Sequence, residues 1–224
     1  MASSPERPIP KLLLPPGPSV CSIVINPDRR KIEDPDVSTG FQRPSPIFYD
    51  ALSVRNAVFG IEQNCSAAEE IDAEDALSWH WVIYAKDDQG QEGPVATIRL
   101  TPAQAHADTD DEKSIGGPNY KGSNAWDHKE PYVKLGRLAN LKEFRGRSYG
   151  NLLAETALKY AEHHVGDMIK DQELGDWHGL VLIHAQRRME RWYGRLGFQT
   201  DMGLGTWLEE GIEHVGMWKR VDVP

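Results

Sequence analysis

Apolar residues along this chain occur in two patterns: short runs rich in β-branched and aromatic side chains, and longer stretches with helical spacing. The short runs predict β-strands. They are Ser19–Asn26, Trp79–Ala85, Pro94–Leu100, Tyr132–Ala139, Gly179–His184, Phe198–Thr200 and His214–Lys219. The polar turn 86–90, between the second and third of these runs, predicts a hairpin.

Helical spacing of apolar residues predicts three helices. The first covers Ile47–Phe59, the second begins near Gly150, and the third, Arg187–Leu196, ends at Gly197. Glycine just past a helix end is a common stop signal, because it adopts left-handed backbone angles at little cost. The order of strands and helices predicts a mixed α/β sheet with strand–helix–strand units in the C-terminal half.

The length of 224 residues favours one domain over two. Residues 1–18 are rich in proline and predict a disordered tail, so a single domain is expected to cover residues 19–224. Within that domain, the polar stretch 101–131 is too long for a tight connection. Loops of this length are usually lids or disordered insertions, and the sequence leaves both interpretations open.

The charge balance of the chain narrows the class of partner. Lys and Arg number 25 against 34 Asp and Glu, which gives a formal net charge of -9. Nucleic acids and anionic membranes need a basic protein face, so the composition argues against both and suits a cationic substrate. Two cysteines are too few for a disulfide framework, and no apolar run reaches membrane-spanning length. We therefore expect a cytoplasmic protein, with the nucleus left open.

The segment most informative about chemistry is Leu138–Leu153, with the sequence LANLKEFRGRSYGNLL. It predicts a strand end, a short basic turn and a helix that begins near Gly150. Backbone N–H groups and the helix macrodipole favour a pyrophosphate at such a turn, and Arg145 and Arg147 add positive charge. The alternative is a solvated turn in which two arginines cap a helix.

Metal-ligating patterns are absent from the sequence. The two cysteines and the scattered histidines lack zinc spacing, and the acidic run Asp108–Glu112 lacks the rest of a calcium-binding loop. We therefore expect no metal.

Read together, these segments resemble the GNAT superfamily of acyl-CoA N-acyltransferases. The superfamily signature Arg/Gln-x-x-Gly-x-Gly/Ala is similar to Arg145–Gly150, with Ser148 in place of the first glycine of the pair. A second signature, in which a helix ends in Tyr and is followed by Gly-Phe, is similar to Arg191–Phe198. The segments Val54–Gln63 and Glu210–Met217 are similar to one branch of the superfamily, so the resemblance spans residues 47–218.

The resemblance implies a GNAT-type α/β (α+β) fold, in which helices flank a central mixed, mostly antiparallel sheet and splayed strands bind coenzyme A. Acetyl-CoA is the implied co-substrate. Backbone amides at the strand end would hydrogen bond the pantetheine arm and polarise the thioester carbonyl. The implied cofactor-binding residues are Leu138, Ala139, Asn140, Arg145, Gly146, Arg147, Ser148, Tyr149, Gly150, Asn151 and Gln186.

The resemblance also implies the acid that protonates the leaving thiolate. It is Tyr193, whose phenol is mostly protonated at neutral pH; the alternative is that Tyr193 only packs beside Phe198. The general base stays open among Glu62, Asp72, His80 and His184. Glu62, Asp72, His80 and His214 are predicted to line the acceptor site, whereas Arg99 is predicted to be a salt-bridge partner.

The sequence thus predicts an N-acetyltransferase that moves an acetyl group to a primary amine of a small molecule by direct attack in a ternary complex. An amino sugar such as glucosamine 6-phosphate and a polyamine are both candidate acceptors. Two alternatives stay open: a protein N-acetyltransferase, and a catalytically degenerate acyl-CoA sensor or scaffold, which Ser148 and Asn140 favour. No nucleic acid or membrane partner is expected, and a homodimer is left open.

Overall fold

The structure is a computed structural model that describes residues 7–28, 31–34, 43–103, 117–169 and 174–224. These residues group into two compact units. The first unit is drawn from residues 1–99 and 137–157, and the second from residues 100–136 and 158–224. The acidic run at 108–112 lies outside the described residues. The expected single domain over residues 19–224 stays a prediction.

The first unit is built from short N-terminal strands, one long helix and a hairpin. Its strands are β1 (Lys11–Leu13), β2 (Val24–Asn26), β3 (Lys31–Glu33), β4 (Trp79–Lys86) and β5 (Glu92–Thr101), the last of which ends in the second unit. Its helix is α1 (Pro46–Arg55), which continues into a π-helical segment at Asn56–Glu62. The Ser45 hydroxyl accepts a hydrogen bond from the N–H of Ile47, so α1 begins as the Ser-Pro pair predicts.

Three N-terminal predictions are corrected by the structure. β1 lies inside the expected disordered tail and pairs with β4 in antiparallel register, Leu12 opposite Trp81. Residues 19–22, expected as part of a strand, belong to a 3-10 helix at Pro18–Ser22. β3 lies where no strand was predicted and pairs with β2. For β1 and β3 the pairing strand outweighs the local sequence pattern. For the 3-10 helix, the proline at its start outweighs the apolar run that predicted a strand.

The predicted hairpin of β4 and β5 is confirmed. Its turn is closed by the Asp87 carboxylate, which accepts hydrogen bonds from the N–H groups of Gln89 and Gln91, and Gly90 has a φ of +80°. The strands of the first unit are hydrogen-bonded in the order β1-β4-β5-β6. Helix α1 packs against β4, and its buried side chains Phe48 and Leu52 join an apolar cluster with Val20.

Two elements pass from one unit into the other along the chain: β6 (Val133–Asn140) and α2 (Tyr149–His163). The second unit then contains α3 (Val165–Met168), β7 (Leu180–Gln186), α4 (Glu190–Arg195), β8 (Gln199–Thr200), β9 (Thr206–Glu209) and β10 (Ile212–Arg220). Its strands run in the order β6-β7-β10-β8, and β9 pairs with β10. β9 lies in a segment where the sequence predicted no strand.

Strand direction in the second unit is mixed. β6 and β7 are parallel, with Val133 opposite Val181, whereas β10 is antiparallel to β7, β8 and β9. The core of this unit is aromatic and aliphatic, formed by Tyr120, Tyr132, Leu180, Leu182, Leu204, Trp207 and Trp218. The predicted α/β fold, a mixed and mostly antiparallel sheet with flanking helices, is confirmed. Among the described residues, no helix is long and apolar enough to cross a membrane.

Candidate active site

The basic turn between β6 and α2 has two residues in the left-handed region of backbone space. Gly146 has a φ of +79° and Ser148 a φ of +61°. The Ser148 carbonyl accepts a hydrogen bond from the N–H of Leu152, which closes the first turn of α2. The first N–H groups of a helix have no partner within the helix, so the turn directs donors outward. Its conformation is therefore suited to an anion such as a pyrophosphate.

Arg145 connects this turn to two other parts of the first unit. Its Nε donates to the Asn140 carbonyl at 3.1 Å, and its two terminal nitrogens donate to both oxygens of Glu62 at 2.9 and 2.6 Å. The hydrogen bonds to Glu62 raise the pKa of the Arg145 guanidinium. A carboxylate held by two guanidinium hydrogen bonds is a weakened base. The geometry therefore makes Glu62 an anchor for Arg145 and counts against its role as general base.

The remaining residues of the predicted pyrophosphate turn lie at its surface or in the first turn of α2. The Arg147 guanidinium stacks over the Phe144 ring at 4.8 Å, and Phe144 itself is buried beneath the turn. Tyr149, Gly150 and Asn151 are half-buried at the start of the helix. This arrangement anchors the turn by an apolar side chain while its basic residues stay exposed.

Strand β6 contains one residue with left-handed backbone angles, Arg137, whose φ is +51°. After it, the N–H of Leu141 donates to the Val95 carbonyl of β5 at 2.9 Å. Because successive strand residues direct their N–H groups to opposite edges, those of Leu138 and Asn140 are expected to face away from β5. Ala139 is instead buried against α1 through Val54 and Val58.

Asn140 has a polar atom without a partner in the described part of the chain. Its Oδ1 is buried and accepts no hydrogen bond there. Buried polar atoms usually have hydrogen-bond partners, so Oδ1 of Asn140 is an exception within the described residues.

Asp72, predicted as an acceptor contact and candidate base, is engaged in structural hydrogen bonds, and its predicted role stays a prediction. It caps the 3-10 helix Ala73–Ala76, and its carboxylate accepts hydrogen bonds from Arg99 at 2.7 Å and Arg137 at 2.8 Å. Burial raises its pKa, but Arg99 outweighs that effect and the net pKa is lowered. Its oxygens are therefore engaged within the protein. The prediction that Arg99 is a salt-bridge partner is confirmed.

His80, predicted as an acceptor contact and candidate base, lies on β4 with 1% of its surface exposed. Its Nε2 donates to the Asp75 carbonyl at 3.1 Å, and its ring packs edge-on against Phe48. Burial lowers the pKa of His80 to about 4. A side chain this enclosed cannot contact an acceptor, so His80 is a neutral core residue.

In the second unit, His184 lies at the centre of a hydrogen-bonded cluster. Its Nδ1 is 3.1 Å from Oε1 of Glu209, and its Nε2 is 2.9 Å from the hydroxyl of Tyr120. The side chain of His184 is 24% exposed, so the cluster reaches the surface. The structure thus gives His184 an orienting partner on each ring nitrogen.

The same carboxylate has further partners. Glu209 Oε1 accepts from the indole N–H of Trp207 at 2.6 Å, and Oε2 is 3.7 Å from Nε2 of His214. Burial raises the pKa of Glu209, but hydrogen bonds from His184 and Trp207 outweigh it and bring the pKa to about 2. Glu209 is therefore ionised throughout the neutral range. The structure brings the predicted His214 and His184 to one carboxylate.

Tyr193 and Gln186 complete the predicted set. Tyr193 lies on α4, with its ring 4.7 Å from that of Trp192 and 5.9 Å from that of Phe198. Burial raises the pKa of Tyr193, so its phenol stays protonated at neutral pH. Gln186 ends β7 opposite His214, and its Oε1 accepts from Nε of Arg188.

Two residues of the cluster around His184 were missed in the sequence: Tyr120 and Glu209. Tyr120 belongs to the long polar stretch after β5. Glu209 is the last residue of β9, a segment in which the sequence predicted no strand. The available signal for Glu209 was the sequence Glu210-Gly211, a two-residue turn that marks a hairpin and so a strand before it. Nothing local distinguishes Tyr120 from other loop residues.

Comparison with known proteins bears on the fold and on the class of enzyme. No family model matches the chain. The chain is 28% identical over 170 residues to the uncharacterized N-acetyltransferase YjcF of Bacillus subtilis, which covers 76% of this chain and 90% of that protein. A solved structure from Lactobacillus plantarum, assigned as an N-acetyltransferase, aligns with a TM-score of 0.52 and 26% identity over 79% of this chain and 92% of that one. The resemblance to the GNAT superfamily is confirmed.

The fold is shared with ElaA of Escherichia coli, which aligns with a TM-score of 0.52 and 24% identity over 77% of this chain and 89% of that one. The N-acetyltransferases from Bacillus and Lactobacillus also confirm the predicted class of enzyme, an acyl-CoA-dependent N-acetyltransferase. The roles of individual GNAT site residues stay predictions. Within the described residues, no group of three or more His, Cys, Asp or Glu is arranged to hold a metal ion.

Proposed function

We propose that this protein transfers the acetyl group of acetyl-CoA to the primary amine of a small cationic molecule, by direct attack in a ternary complex. The observation that carries the proposal is the conformation of the turn at 145–150. Its two left-handed residues, Gly146 and Ser148, precede a fifteen-residue helix, and basic side chains flank them. This is the geometry that binds a pyrophosphate through backbone N–H groups.

The end of β6 supports a role in holding the thioester. The N–H groups of Leu138 and Asn140 are expected to face away from β5, and Oδ1 of Asn140 is buried without a partner in the described residues. An N–H group that donates to the thioester carbonyl stabilises negative charge that develops there during attack. Donors of this kind contribute about 3 kcal/mol each to transition-state stabilisation in acyl transfer.

The chemistry needs an acid and a base, and two residues suit these roles. The resemblance implies Tyr193 as the acid, and burial, which raises the pKa of its phenol, keeps that phenol protonated at neutral pH. His184 is partly exposed and has a carboxylate partner, as bases in acyl transfer commonly do. We therefore assign Tyr193 as the general acid and His184 as the general base.

The proposed acceptor is a polyamine-like cation in preference to an amino sugar phosphate. The side chains around His184 comprise an ionised carboxylate, Glu209, with the aromatic rings of Trp207 and Tyr120. Carboxylates and aromatic faces both favour ammonium groups. A phosphorylated sugar needs guanidinium or ammonium donors, whereas the ionised carboxylate of Glu209 in this cluster repels a phosphate.

The proposal is tested by calorimetric titration with CoA, followed by thiol release from acetyl-CoA in the presence of spermidine, glucosamine 6-phosphate and a peptide with a free N-terminus. We expect CoA binding and thiol release that is fastest with spermidine. Binding without release from any amine would instead support an acyl-CoA sensor. An absence of CoA binding would overturn both functions.

A further inference from the structure

The hairpin of β9 and β10 fixes where Glu209 lies. Glu210 and Gly211 both have positive φ, +51° and +76°, which is the conformation of a type I′ two-residue turn. The turn sets Glu209 opposite Ile212, and two residues earlier Trp207 opposite His214. The carboxylate and the indole therefore share one face of the hairpin, because side chains alternate with a period of two.

The pairing of β10 with β7 brings His184 to that same face. His214 lies opposite Gln186 and Gly216 lies opposite His184, so the imidazole stands beside a residue without a side chain. Its ring meets that of Trp207 edge-on, with 5.0 Å between centroids. Tyr120, 4% exposed, closes the other side of the ring. The orientation of His184 is thus determined by backbone register together with packing.

Hydrogen bonding assigns the tautomer of His184. The ionised carboxylate of Glu209 can only accept, so Nδ1 of His184 carries a proton and donates it at 3.1 Å. In neutral imidazole the other nitrogen then has a lone pair. Nε2 therefore accepts from the Tyr120 hydroxyl at 2.9 Å.

We propose that Glu209 and Tyr120 are positioning residues that hold His184 in the Nδ1–H tautomer, with Nε2 as the proton acceptor for the substrate amine. This inference rests on the proposed acetyltransferase function. In the proton transfer both residues act through His184: Glu209 through its Nδ1 and Tyr120 through its Nε2.

Proton transfer begins at the substrate ammonium and ends at the imidazole of His184. An N–H bond of the ammonium breaks, its electron pair stays on the amine nitrogen, and the proton forms a new bond to Nε2 as the Tyr120 hydroxyl turns its hydrogen aside. The resulting imidazolium lies against the Glu209 carboxylate, which stabilises its charge. The amine then forms a C–N bond with the acetyl carbon, the C–S bond breaks, and the thiolate takes the proton of Tyr193. A second N–H bond of the former amine breaks, its proton returns to the Tyr193 phenolate, and the product is a neutral amide.

The test compares Glu209→Gln with Glu213→Gln, which removes the same charge from an exposed position on the opposite face of β10. We expect Glu209→Gln to lower kcat at least tenfold with CoA affinity unchanged, and Tyr120→Phe to lower it less. Glu213→Gln should match the wild type. Equal kcat for Glu209→Gln and the wild type would overturn the inference.

A double-variant cycle separates positioning from a general loss of structure. If Glu209 acts through His184, the pair Glu209→Gln and His184→Gln should be no slower than His184→Gln alone. If the fold reductions in kcat of the two single variants multiply in the double variant, the inference is contradicted and Glu209 has an independent role.

The ¹⁵N shifts of the His184 ring test the tautomer without turnover. We expect a protonated Nδ1 and an unprotonated Nε2 in the wild type, and loss of this preference in Glu209→Gln. The opposite tautomer in the wild type would overturn the inference. A wild type that binds CoA and has the expected tautomer but releases no thiol would instead count against the proposed function.

Discussion

Ser148 is where the predicted pyrophosphate turn departs from its signature, and its backbone tests whether the departure matters. A left-handed conformation costs a non-glycine residue about 1–2 kcal/mol. Ser148 adopts this conformation in the turn, with a φ of +61°. Ser148→Gly should keep CoA affinity within about threefold, because glycine adopts this conformation without strain. Ser148→Val should weaken binding at least tenfold, because a β-branched residue is a genuine outlier there. Calorimetric titration with CoA compares the two.

Equal CoA affinity of the two Ser148 variants would contradict the account of the turn. It would show that the left-handed conformation at this position has no part in binding the pyrophosphate.

Tyr193 provides a second prediction at the scale of one residue. Its phenol is held protonated by burial and packs beside Phe198. Tyr193→Phe keeps the ring and removes only the proton donor, so kcat should fall at least tenfold while CoA affinity and thermal stability stay unchanged. Steady-state kinetics with acetyl-CoA measures the effect. An unchanged kcat would leave Tyr193 with a packing role alone.

From the sequence, candidate residues could be predicted better than the contacts that surround them. His184 and His214 were recognised as candidates, but their shared partner Glu209 was not, because that contact spans 25 residues from His184 and depends on strand register. His80 and Asp72 were predicted as site residues, because neither the burial of His80 nor the ion pairs of Asp72 can be read from residue type. Histidine and aspartate occur both in protein cores and in functional sites.

Among the elements, the connection between α1 and β4 is held by buried charges. Arg55, 1% exposed, donates to Glu70 at 2.5 Å and to Asp75 at 2.7 Å. Asp75 also pairs with Arg99 on β5. Burial alone would raise the pKa of Asp75, but the two guanidinium groups outweigh it and hold that pKa far below its usual range. The cluster ties a helix to a hairpin.

Removal of one charge from this cluster should destabilise the fold. Asp75→Asn leaves two buried guanidinium groups short of a counter-charge, which costs about 3–5 kcal/mol in the free energy of unfolding. Glu69→Gln, a matched change at an exposed carboxylate nearby, should change it by less than about 0.5 kcal/mol. Urea denaturation at pH 7 measures both. Equal stability of the two variants would contradict a structural role for the cluster.

The buried His80 predicts an acid-sensitive stability. Its pKa is about 4 in the fold, against about 6.5 in the unfolded chain. As pH falls from 6.5 to 4, the unfolded chain takes up a proton that the folded chain does not, so the free energy of unfolding should drop by about 3 kcal/mol. The low pKa of Asp75 adds a further loss below about pH 3.9, where unfolded carboxylates become protonated.

Urea titrations across this pH range test the origin of the loss. His80→Gln should flatten the dependence between pH 6.5 and 4, whereas His178→Gln, at an exposed histidine, should leave it unchanged. A slope that survives His80→Gln would assign the acid sensitivity to other groups.

Elements with strong local signals were predicted correctly, and those that depend on distant partners were not. The β4–β5 hairpin, α1 and α2 follow apolar periodicity, a Ser-Pro start and a polar turn. β1 consists of three residues between prolines, and only its pairing with β4 makes it a strand. β9 is equally short and is defined by its partner β10.

For the whole molecule, the net charge of -9 bears on the acceptor. An acidic protein attracts a polycation over distances that salt screens, with a Debye length of about 10 Å at 0.1 M. The kcat/KM for spermidine should therefore fall about threefold or more between 0.05 and 0.5 M salt. An aromatic amine, uncharged at neutral pH, should show no such dependence. Steady-state kinetics at each salt concentration makes the comparison, and equal salt dependence would count against a cationic acceptor.

We propose that this chain makes an amide from acetyl-CoA and an amine. Mass spectrometry of spermidine incubated with the protein and isotopically labelled acetyl-CoA tests this function. We expect a product heavier by one labelled acetyl group, formed at a rate that Tyr193→Phe and Glu209→Gln lower at least tenfold. CoA bound by the protein with no labelled amide from any amine tested would contradict it.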